Sequence, residues 1–464
     1  MIEVNSKKRN LMFAVMMVGA FISSLSQSLL TSALPSIMIA FHISASLGQW
    51  LTTIYILVLG VVTGCTAWLI NRMDTRRLFF MATFIFFLGC LMALFAGNFE
   101  LLLISRVVQA LGAGIHMPLL QVSALRMYPT EKHGKMLGLT GLVIGFAPAI
   151  GPTISGIMVD SFGWQSLFFL MMMIAAVTMI VGIFVITDIS QYIKGKFDFL
   201  SACLYGIGFC LFMFGVTRLD FMNFLSLGVL APLLTGVLCL VIFVFNQLKV
   251  EHPFLEIRIF ADRDFTVSTI LVSLTYIAMM SGTLLIPLYV QTVRGFSATI
   301  SGIVLLPGSL LLGILSPFSG SIYDRFGARI LVICGMVMLT VGTAAISLFG
   351  SLDSLIWITG AYCLRMIGIS MLLMPLMSFG VHNLSGTNIS HGAAIFNSIR
   401  QMAGSLGSTI FVVIASKLSL SETIDVEGIN AAFGIQTALM FLGVIVSLVF
   451  IKSKIHSKIV AQNL

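Results

Sequence analysis

The chain has 464 residues, of which 58% are hydrophobic and only 9% are charged, and its formal net charge is +8. Soluble domains contain about 45–50% apolar and about 25% charged residues, so this composition excludes a soluble protein and indicates an integral membrane protein. Basic loops that face anionic lipid explain the net charge without a nucleic-acid partner.

Fourteen long apolar runs follow one another along the chain. A helix that crosses a bilayer needs about 20 mostly apolar residues, because only a helix or a closed barrel satisfies its backbone hydrogen bonds there. The alternating pattern of a barrel is absent, so we predict an all-α protein with fourteen transmembrane helices. The first run continues to Leu30 without a clear cleavage site, which favours a retained span over a signal peptide. The approximate centres of the runs are Phe21, Val61, Leu88, Gly112, Phe146, Ala175, Gly208, Leu234, Ala278, Leu310, Met338, Cys363, Gly404 and Val444.

The basic residues predict the orientation of these spans. Placing both termini in the cytoplasm puts most of the 25 basic residues in cytoplasmic loops. Only Arg218, Arg294 and Lys417 then fall outside, as the positive-inside rule expects for an even number of crossings. We therefore expect a multi-pass protein of the cell (plasma) membrane, in contact with membrane lipids and with both termini cytoplasmic.

The sequence carries no pattern typical of an enzyme or a metalloprotein. Its seven cysteines have neither CxxC spacing nor clustered histidines beside them, so disulfides and a metal site are not indicated. A Walker loop, a G-x-S-x-G elbow and an HExxH pattern are also absent. We expect no catalytic residues and no cofactor.

The chain contains an internal repeat with an offset of eight runs. The segment Asn71–Arg76, after the second run, is similar to Asp324–Arg329, after the tenth, and Arg106 in the fourth run is similar to Arg365 in the twelfth. Two six-span halves would repeat after six runs, so the offset predicts two extra helices between the halves. We predict a six-helix bundle at 1–190, two inserted helices with a cytoplasmic loop at 191–262, and a second bundle with a cytoplasmic tail at 263–464.

Short motifs occur in a fixed order along nearly the whole chain. They are Ala33-Leu34-Pro35, Trp50 with Tyr55, Arg72 with Arg76-Arg77, Arg106 with Gln109 and Gly112, Ile286–Gln291, and Asn397–Gly404. In this order they resemble the major facilitator superfamily, in particular its fourteen-span drug:proton antiporter branch. The resemblance implies a monomeric multidrug efflux transporter whose two bundles rock around a central cavity. Members of this branch mostly export lipophilic, often cationic drugs in exchange for protons.

The fifth run resembles the antiporter signature of the same superfamily. Glycine lets helices approach closely and proline weakens the backbone ladder, so such a helix packs tightly and still bends. We predict a gating role for this run together with Arg72, Asp324 and Arg325 of the two repeated loops; close packing without gating is the alternative. The glycines and prolines of the run are Gly141, Gly145, Pro148, Gly151, Pro152 and Gly156.

The chain departs from this family in the first span and in the first repeated loop. Family members carry an Asp, a Thr and an Asn in the first span, where this chain has Ser26, Ser28 and Thr31. The first loop has Asn71 in place of the usual Asp, whereas the second loop keeps Asp324. We therefore expect a gating ion pair only in the C-terminal half.

Three residues are candidates for proton coupling. An imidazole group ordinarily titrates near neutrality, and His116 lies seven residues after Gln109, on the same helix face. Arg106 is costly inside a span unless it faces a cavity or polar groups, and the resemblance ties it to proton transfer. Asp220, near the outer end of the seventh span, is a candidate for loading external protons. A structural hydrogen-bonding role is the alternative for His116 and Arg106. For Asp220 the alternatives are simple exposure to water and pairing with Arg218.

Polar residues within the spans are candidates for lining a substrate cavity. Ser24, Gln27, Ser28 and Thr31 recur at helical spacing and form a stripe on the first span. Hydrogen bonds between helices are the alternative use of such a stripe. The other candidates are Tyr55, Gln109, Tyr289, Gln291, Asn397, Arg400 and Gln401.

Together these features predict a secondary active exporter of small amphipathic or lipophilic molecules. We expect the export to proceed by alternating access. The family resemblance implies proton antiport as the energy source, although the usual first-span carboxylate is missing. A lipid or anionic-metabolite transporter with different or no ion coupling is the alternative, because inward arginines without acidic partners favour anionic substrates. A non-transporting membrane sensor is the alternative from another class, although no soluble domain is visible in the sequence.

Overall fold

The computed structural model describes residues 6–43, 45–190, 198–219, 222, 225–250, 253–350, 354–420 and 424–451. Across these ranges the chain is helical and contains no strand, which confirms the predicted all-α fold. The first eight helices are α1 (Ser6–Phe41), α2 (Ala45–Ile70), α3 (Thr75–Leu94), α4 (Phe99–Met127), α5 (His133–Phe162), α6 (Gln165–Val185), α7 (Phe199–Arg218) and α8 (Leu227–Lys249).

The second part of the chain adds seven helices and a short π-helical turn, Tyr289–Val293, at the end of the ninth. The predicted twelfth span is interrupted between Ser370 and Leu373, because Pro375 has no N–H to donate to the carbonyl of Met371 and crowds it. These helices are α9 (Arg263–Leu288), α10 (Ala298–Phe326), α11 (Ala328–Ile346), α12 (Leu355–Ser370), α13 (Leu373–Val381), α14 (Asn388–Leu418) and α15 (Val426–Phe450).

Each predicted run centre lies inside a different helix. Thirteen helices in the described part of the chain are long and apolar enough to cross a membrane, with α12 and α13 forming one span. The 30-residue α5 is not among these thirteen, so the number of fourteen spans stays a prediction.

The helices form two compact units, each assembled from three segments. Unit 1 comprises Met1–Met127, Val143–Ile259 and Leu384–Gln401. Unit 2 comprises Tyr128–Leu142, Phe260–Asn383 and Met402–Leu464. The first part of α5 therefore belongs to unit 2, and the first part of α14 belongs to unit 1. The bundle boundaries drawn from the sequence remain predictions.

The same helix pairs pack in both units. In unit 1, α4 packs against α2 and α3, and α3 packs against α6. In unit 2, α12 packs against α10 and α11, and α11 packs against α15. Helices α10 to α12 therefore take the places that α2 to α4 take, which agrees with the eight-span offset of the sequence repeat.

Candidate functional site

Arg106 is the centre of a buried polar network in unit 1. Its side chain is completely buried, and no carboxylate among the described residues forms an ion pair with it. Nη1 donates to Ser26 Oγ at 2.8 Å and to Gln109 Oε1 at 2.5 Å, and Nη2 donates to the Ser26 carbonyl at 3.2 Å. Nε donates to the Leu51 carbonyl, and the guanidinium lies 4.0 Å from the centre of the Tyr55 ring.

This network joins four helices around the position of the missing first-span acid. Ser26 is the residue that occupies that position, and it offers Arg106 a hydroxyl and a carbonyl in place of a carboxylate. Gln109 Nε2 donates to Gly89 of α3, and Tyr55 Oη donates to the Ser23 carbonyl of α1. The structure therefore brings together Arg106, Gln109 and Tyr55, with neutral partners that hold a buried positive charge.

His116 is buried in unit 1 between two hydroxyl groups. Its Nδ1 lies 2.9 Å from Ser23 Oγ, and its Nε2 lies 3.1 Å from Thr83 Oγ1. Each hydroxyl also lies within hydrogen-bond distance of a carbonyl of its own helix, Gly19 for Ser23 and Phe79 for Thr83.

These four contacts fit either protonation state of the ring. A neutral imidazole donates from one nitrogen, so one hydroxyl must turn its hydrogen from its own helix to the ring. A protonated imidazole donates to both hydroxyls while both keep their helix bonds. His116 can therefore gain or lose a proton without an unpaired polar group, provided that one hydroxyl rotates.

Ser28 lies at a close contact between α1 and α5. Its Oγ donates to the Ala147 carbonyl at 3.1 Å. A Cβ added to Gly151 would overlap the Ser28 Oγ. Gly145 is buried nearby on α5, whereas a Cβ at Gly156 would meet no described atom within 4 Å. Gly151 is thus a glycine of the predicted gating run that a first-span side chain contacts. The side chains of Thr31, Pro148 and Pro152, and the whole of Asp220, lie outside the described residues.

Asp324 joins the end of α10 to the first turn of α5 within unit 2. Its Oδ1 accepts from the Gly134 N–H at 2.7 Å, and its Oδ2 accepts from the Lys135 N–H at 2.8 Å. The first N–H groups of a helix have no partner within the helix and carry a partial positive charge, so they attract a carboxylate. The partner of Asp324 is thus a helix N-terminus, where the sequence predicted an ion pair.

Glycines make this contact close. A Cβ at Gly320 would overlap the Gly134 carbonyl, and a Cβ at Gly134 would lie 2.5 Å from Asp324 Oδ1. The two remaining predicted loop residues point elsewhere: the Arg325 guanidinium lies over the Phe326 ring at 5.2 Å, and that of Arg72 lies over Trp68 at 5.1 Å.

Asn71, the counterpart of Asp324 in the first loop, lies beside the start of α14 in unit 1. Its Oδ1 accepts from Arg126 Nη2 at 3.1 Å, and the same nitrogen donates to Ser390 Oγ at 3.0 Å. Asn71 Nδ2 lies 3.5 Å from both the Thr387 carbonyl and His391 Nε2. The first loop therefore contacts α14 through a neutral amide and longer bonds than those of Asp324.

Two further polar contacts hold the first part of α14. Asn397 Nδ2 donates to Gln121 Oε1 of α4 at 2.6 Å. Tyr205 Oη of α7 donates to Ser398 Oγ at 3.0 Å. Arg400 and Gln401, further along α14, are half-buried. Sequence reasoning missed Gln121, Tyr205 and Ser390, whose only signal was a polar side chain within or beside an apolar run.

The other candidates lie on α1 of unit 1 and in unit 2. Ser24 and Gln27 are half-buried on α1. In unit 2, Tyr289 Oη donates to the Gly350 carbonyl at 2.6 Å, and Gln291 Nε2 donates to Ser301 Oγ at 2.9 Å. Both residues belong to unit 2, whereas the Arg106 network belongs to unit 1. Among the described residues, no group of three His, Cys, Asp or Glu residues could hold a metal ion.

Arg365 is the counterpart of Arg106 in unit 2, and it is bonded differently. Its side chain is completely buried, and Nη2 donates to the Ala278 carbonyl at 2.6 Å and to Gln436 Oε1 at 3.0 Å. Its Nε and Nη1 have no hydrogen-bond partner among the described residues. A buried cation with two unused donors favours an anion or a polar ligand.

Comparison with known proteins gives matches over nearly the full length. Residues 16–408 match the family described as Major Facilitator Superfamily. The chain is 36% identical over 452 residues to the uncharacterized MFS-type transporter YcnB of Bacillus subtilis (strain 168), with 96% of each chain covered. It is 33% identical to the lincomycin resistance protein LmrB of Listeria monocytogenes, over 95% of this chain and 96% of that protein. The riboflavin transporter RibZ of Clostridioides difficile is 25% identical, over 96% of this chain and 98% of that protein.

A solved structure with the same fold is that of the proton:xylose symporter XylE bound to 6-bromo-6-deoxy-D-glucose. It matches with a TM-score of 0.69 and 13% sequence identity, and 97% of each chain is covered. At this level of identity the likeness shows the fold alone.

Proposed function

This chain belongs to the major facilitator superfamily and is a multi-pass membrane transporter rather than an enzyme, and we propose that it is a secondary active exporter of amphipathic or lipophilic small molecules. It works by alternating access in the plasma membrane, as a monomer with both termini cytoplasmic. Its similarity to a lincomycin resistance protein supports drug-like substrates.

The contact between Asp324 and the first turn of α5 is the observation that carries the alternating-access proposal. The paired glycines make this contact close, and the carboxylate accepts two backbone hydrogen bonds. Asp324 is half-buried at the end of its span, so water can hydrate the carboxylate and the two N–H groups once they separate. A contact that is specific when formed and inexpensive to break suits a gate that opens in every cycle.

Proton antiport is the proposed energy source, with His116 as the proton-binding residue. Ser26 stands where the family resemblance leads us to expect a carboxylate, and the Arg106 network around it contains no described acid. His116 has hydroxyl partners at both nitrogens and is bonded in both protonation states. Arg106 bonds Ser26 of α1 from α4, the helix that also carries His116, and Asp220 stays a candidate for loading external protons.

The proposed substrate pathway contains the first-span stripe and the first part of α14. Ser24, Gln27 and Ser28 are half-buried on α1, and Arg400 and Gln401 are half-buried on α14. Half-buried polar groups inside a span bind polar parts of a ligand without the cost of full burial.

A carrier of anionic metabolites is the second candidate function. Arg365 favours it, because its Nε and Nη1 have no hydrogen-bond partner among the described residues. The similarity to a riboflavin transporter is in keeping with a metabolite substrate. A lipid or metabolite carrier of this kind needs no proton at His116.

Accumulation in everted membrane vesicles with an imposed pH gradient tests the proposal. An exporter driven by protons concentrates lipophilic cations inside such vesicles, and it stops when the gradient is collapsed. Accumulation of anionic amphiphiles that persists after collapse of the gradient would support the second candidate. If neither class accumulates above protein-free vesicles, the export proposal fails.

A further inference from the structure

The inserted helix α7 reaches α14 directly, although no candidate site residue lies on it among the described residues. Tyr205 and Phe209, one helical turn apart on α7, lie against Gly64 and Gly60 of α2. A Cβ at either glycine would overlap the facing ring. The two aromatic rings of α7 therefore lie in a notch that Gly60 and Gly64 form on α2. The two helices approach each other more closely there than larger residues at these two positions would allow.

The hydroxyl of Tyr205 lies at the meeting point of three helices within unit 1. Its Oη donates to Ser398 Oγ of α14 at 3.0 Å and is also within 3.2 Å of the Gly60 carbonyl of α2. Tyr205 is only 4% exposed. Ser398 follows Asn397, which bonds Gln121 of α4. The α7 hydroxyl is thus one of the polar contacts that hold the first part of α14.

The Tyr205 ring packs against two phenylalanines of the inserted segment, and the residue is almost completely buried. Phe243 of α8 and Phe254, which follows α8, lie 5.5 and 6.2 Å from the Tyr205 ring. Water cannot readily replace a lost hydrogen bond in such a place, so a buried hydroxyl needs a protein acceptor in every state. Two acceptors are present, Ser398 Oγ on α14 and the Gly60 carbonyl on α2. The hydrogen of Tyr205 can move to Gly60 when Ser398 leaves, without an unsatisfied donor.

We propose that the inserted pair α7–α8 is a working part of the transport cycle, and that Tyr205 is a positioning residue that holds α14 in one transport state through Ser398. The hydroxyl exchanges its acceptor from Ser398 to Gly60 when α14 moves. This proposal rests on the proposed function in one respect, namely that α14 moves during the cycle.

Hydrogen exchange of the α14 amides tests the proposal on the full-length protein in lipid vesicles. Tyr205→Phe removes one oxygen and keeps the ring in the glycine notch. We expect about a fivefold faster exchange in peptides from residues 384–401, because a net hydrogen bond of ordinary strength is lost from one state only. Thr217→Val is the matched control, since Thr217 on the same helix bonds only the Met213 carbonyl of its own helix.

A second substitution reaches the same bond from the other side. Ser398→Ala should accelerate exchange in 384–401 to the same degree, and the double variant should add nothing to either single variant. Ser398→Ala also tests the bond if Tyr205→Phe fails to fold. Transport assays should show a changed turnover with little change in KM for Tyr205→Phe, whereas general destabilisation lowers both folding yield and turnover.

Unchanged exchange in 384–401 for both variants, or additive effects in the double variant, would overturn the role of Tyr205. If Thr217→Val accelerated exchange in 384–401 equally, the effect of Tyr205→Phe would reflect general helix stability, and the positioning role would be overturned. Exchange is measured without substrate, so the positioning role can stand even if the export assay on the wild-type protein fails.

Discussion

The carboxylate of Asp324 in α10 lies 2.7 Å from the backbone nitrogen of Gly134 in the first turn of α5. Its counterpart Asn71 in the other half of the repeat places a neutral amide beside α14. The two repeated loops therefore contact α5 and α14 with different chemistry. The charged contact should be the stronger of the two, because hydrogen bonds to charged groups contribute more than neutral ones.

Asp324→Asn should weaken the α5 contact. The asparagine retains one oxygen, so one of the two N–H groups faces an NH2 group instead of an acceptor, and the interaction with the helix dipole is lost. We expect the free energy of unfolding to fall by about 1 kcal/mol and turnover to fall severalfold. Thermal unfolding of purified protein and vesicle transport measure both effects. Glu100→Gln removes an equally negative but exposed side chain, and equal losses in the two variants would contradict the gate.

Asn71→Asp should strengthen the α14 contact. A carboxylate there accepts a charge-assisted bond from Arg126 and presents its second oxygen to His391, and these gains exceed the loss of the long 3.5 Å contact with the Thr387 carbonyl. We expect the free energy of unfolding to rise by about 1 kcal/mol, and turnover to fall because the contact opens less often. Asn98→Asp, at an exposed helix cap, is the control. An unchanged midpoint of thermal unfolding would show that Arg126 does not act on α14 through residue 71.

Gly151→Leu should block transport by separating α1 from α5. Any side chain at this position overlaps Ser28 Oγ, whose hydroxyl bonds the Ala147 carbonyl. Gly156→Leu is a matched control on the same helix, because its Cβ would meet no described atom within 4 Å. Transport in vesicles containing equal amounts of folded protein should be lost for Gly151→Leu and retained for Gly156→Leu. Wild-type rates for Gly151→Leu would exclude close approach of α1 and α5 as a requirement for transport.

His116→Gln should uncouple transport from protons. Glutamine still hydrogen-bonds Ser23 or Thr83, but it does not bind a proton in the physiological range. We expect concentrative, gradient-driven export to disappear while substrate binding, measured by equilibrium dialysis, stays within about twofold of wild type. His42→Asn replaces an exposed histidine and should leave both properties unchanged. If His116→Gln retained gradient-driven export, the proton-binding residue would have to be a residue other than His116.

The sequence predicted the helices well because the bilayer imposes a strict requirement on each span. Every span must bond its own backbone, so its apolar run is visible without knowledge of its neighbours. Asp324 was also predicted, since a repeated loop motif marks it. Its partner was not, because a helix N-terminus offers backbone groups that any sequence possesses.

The contacts around α14 could not be predicted for a related reason. Tyr205 and Ser398 are 193 residues apart, and each is a single polar residue among apolar ones. Hydropathy identifies such residues but does not say which other helix supplies the partner. The same limit applies to Arg365, whose position was predicted from the repeat but whose unused donors depend on the packing of α9 and α15 around it.

Substrate-triggered proton flux in sealed proteoliposomes with a pH-sensitive dye tests proton-coupled export most directly. Wild-type protein and His116→Gln are compared with a panel of lipophilic cations beside anionic and zwitterionic amphiphiles. We predict proton movement on addition of lipophilic cations to wild-type vesicles and none with His116→Gln. The absence of proton flux in wild-type vesicles with every cation, together with uptake of anionic amphiphiles, would contradict proton-coupled drug export and favour the metabolite carrier.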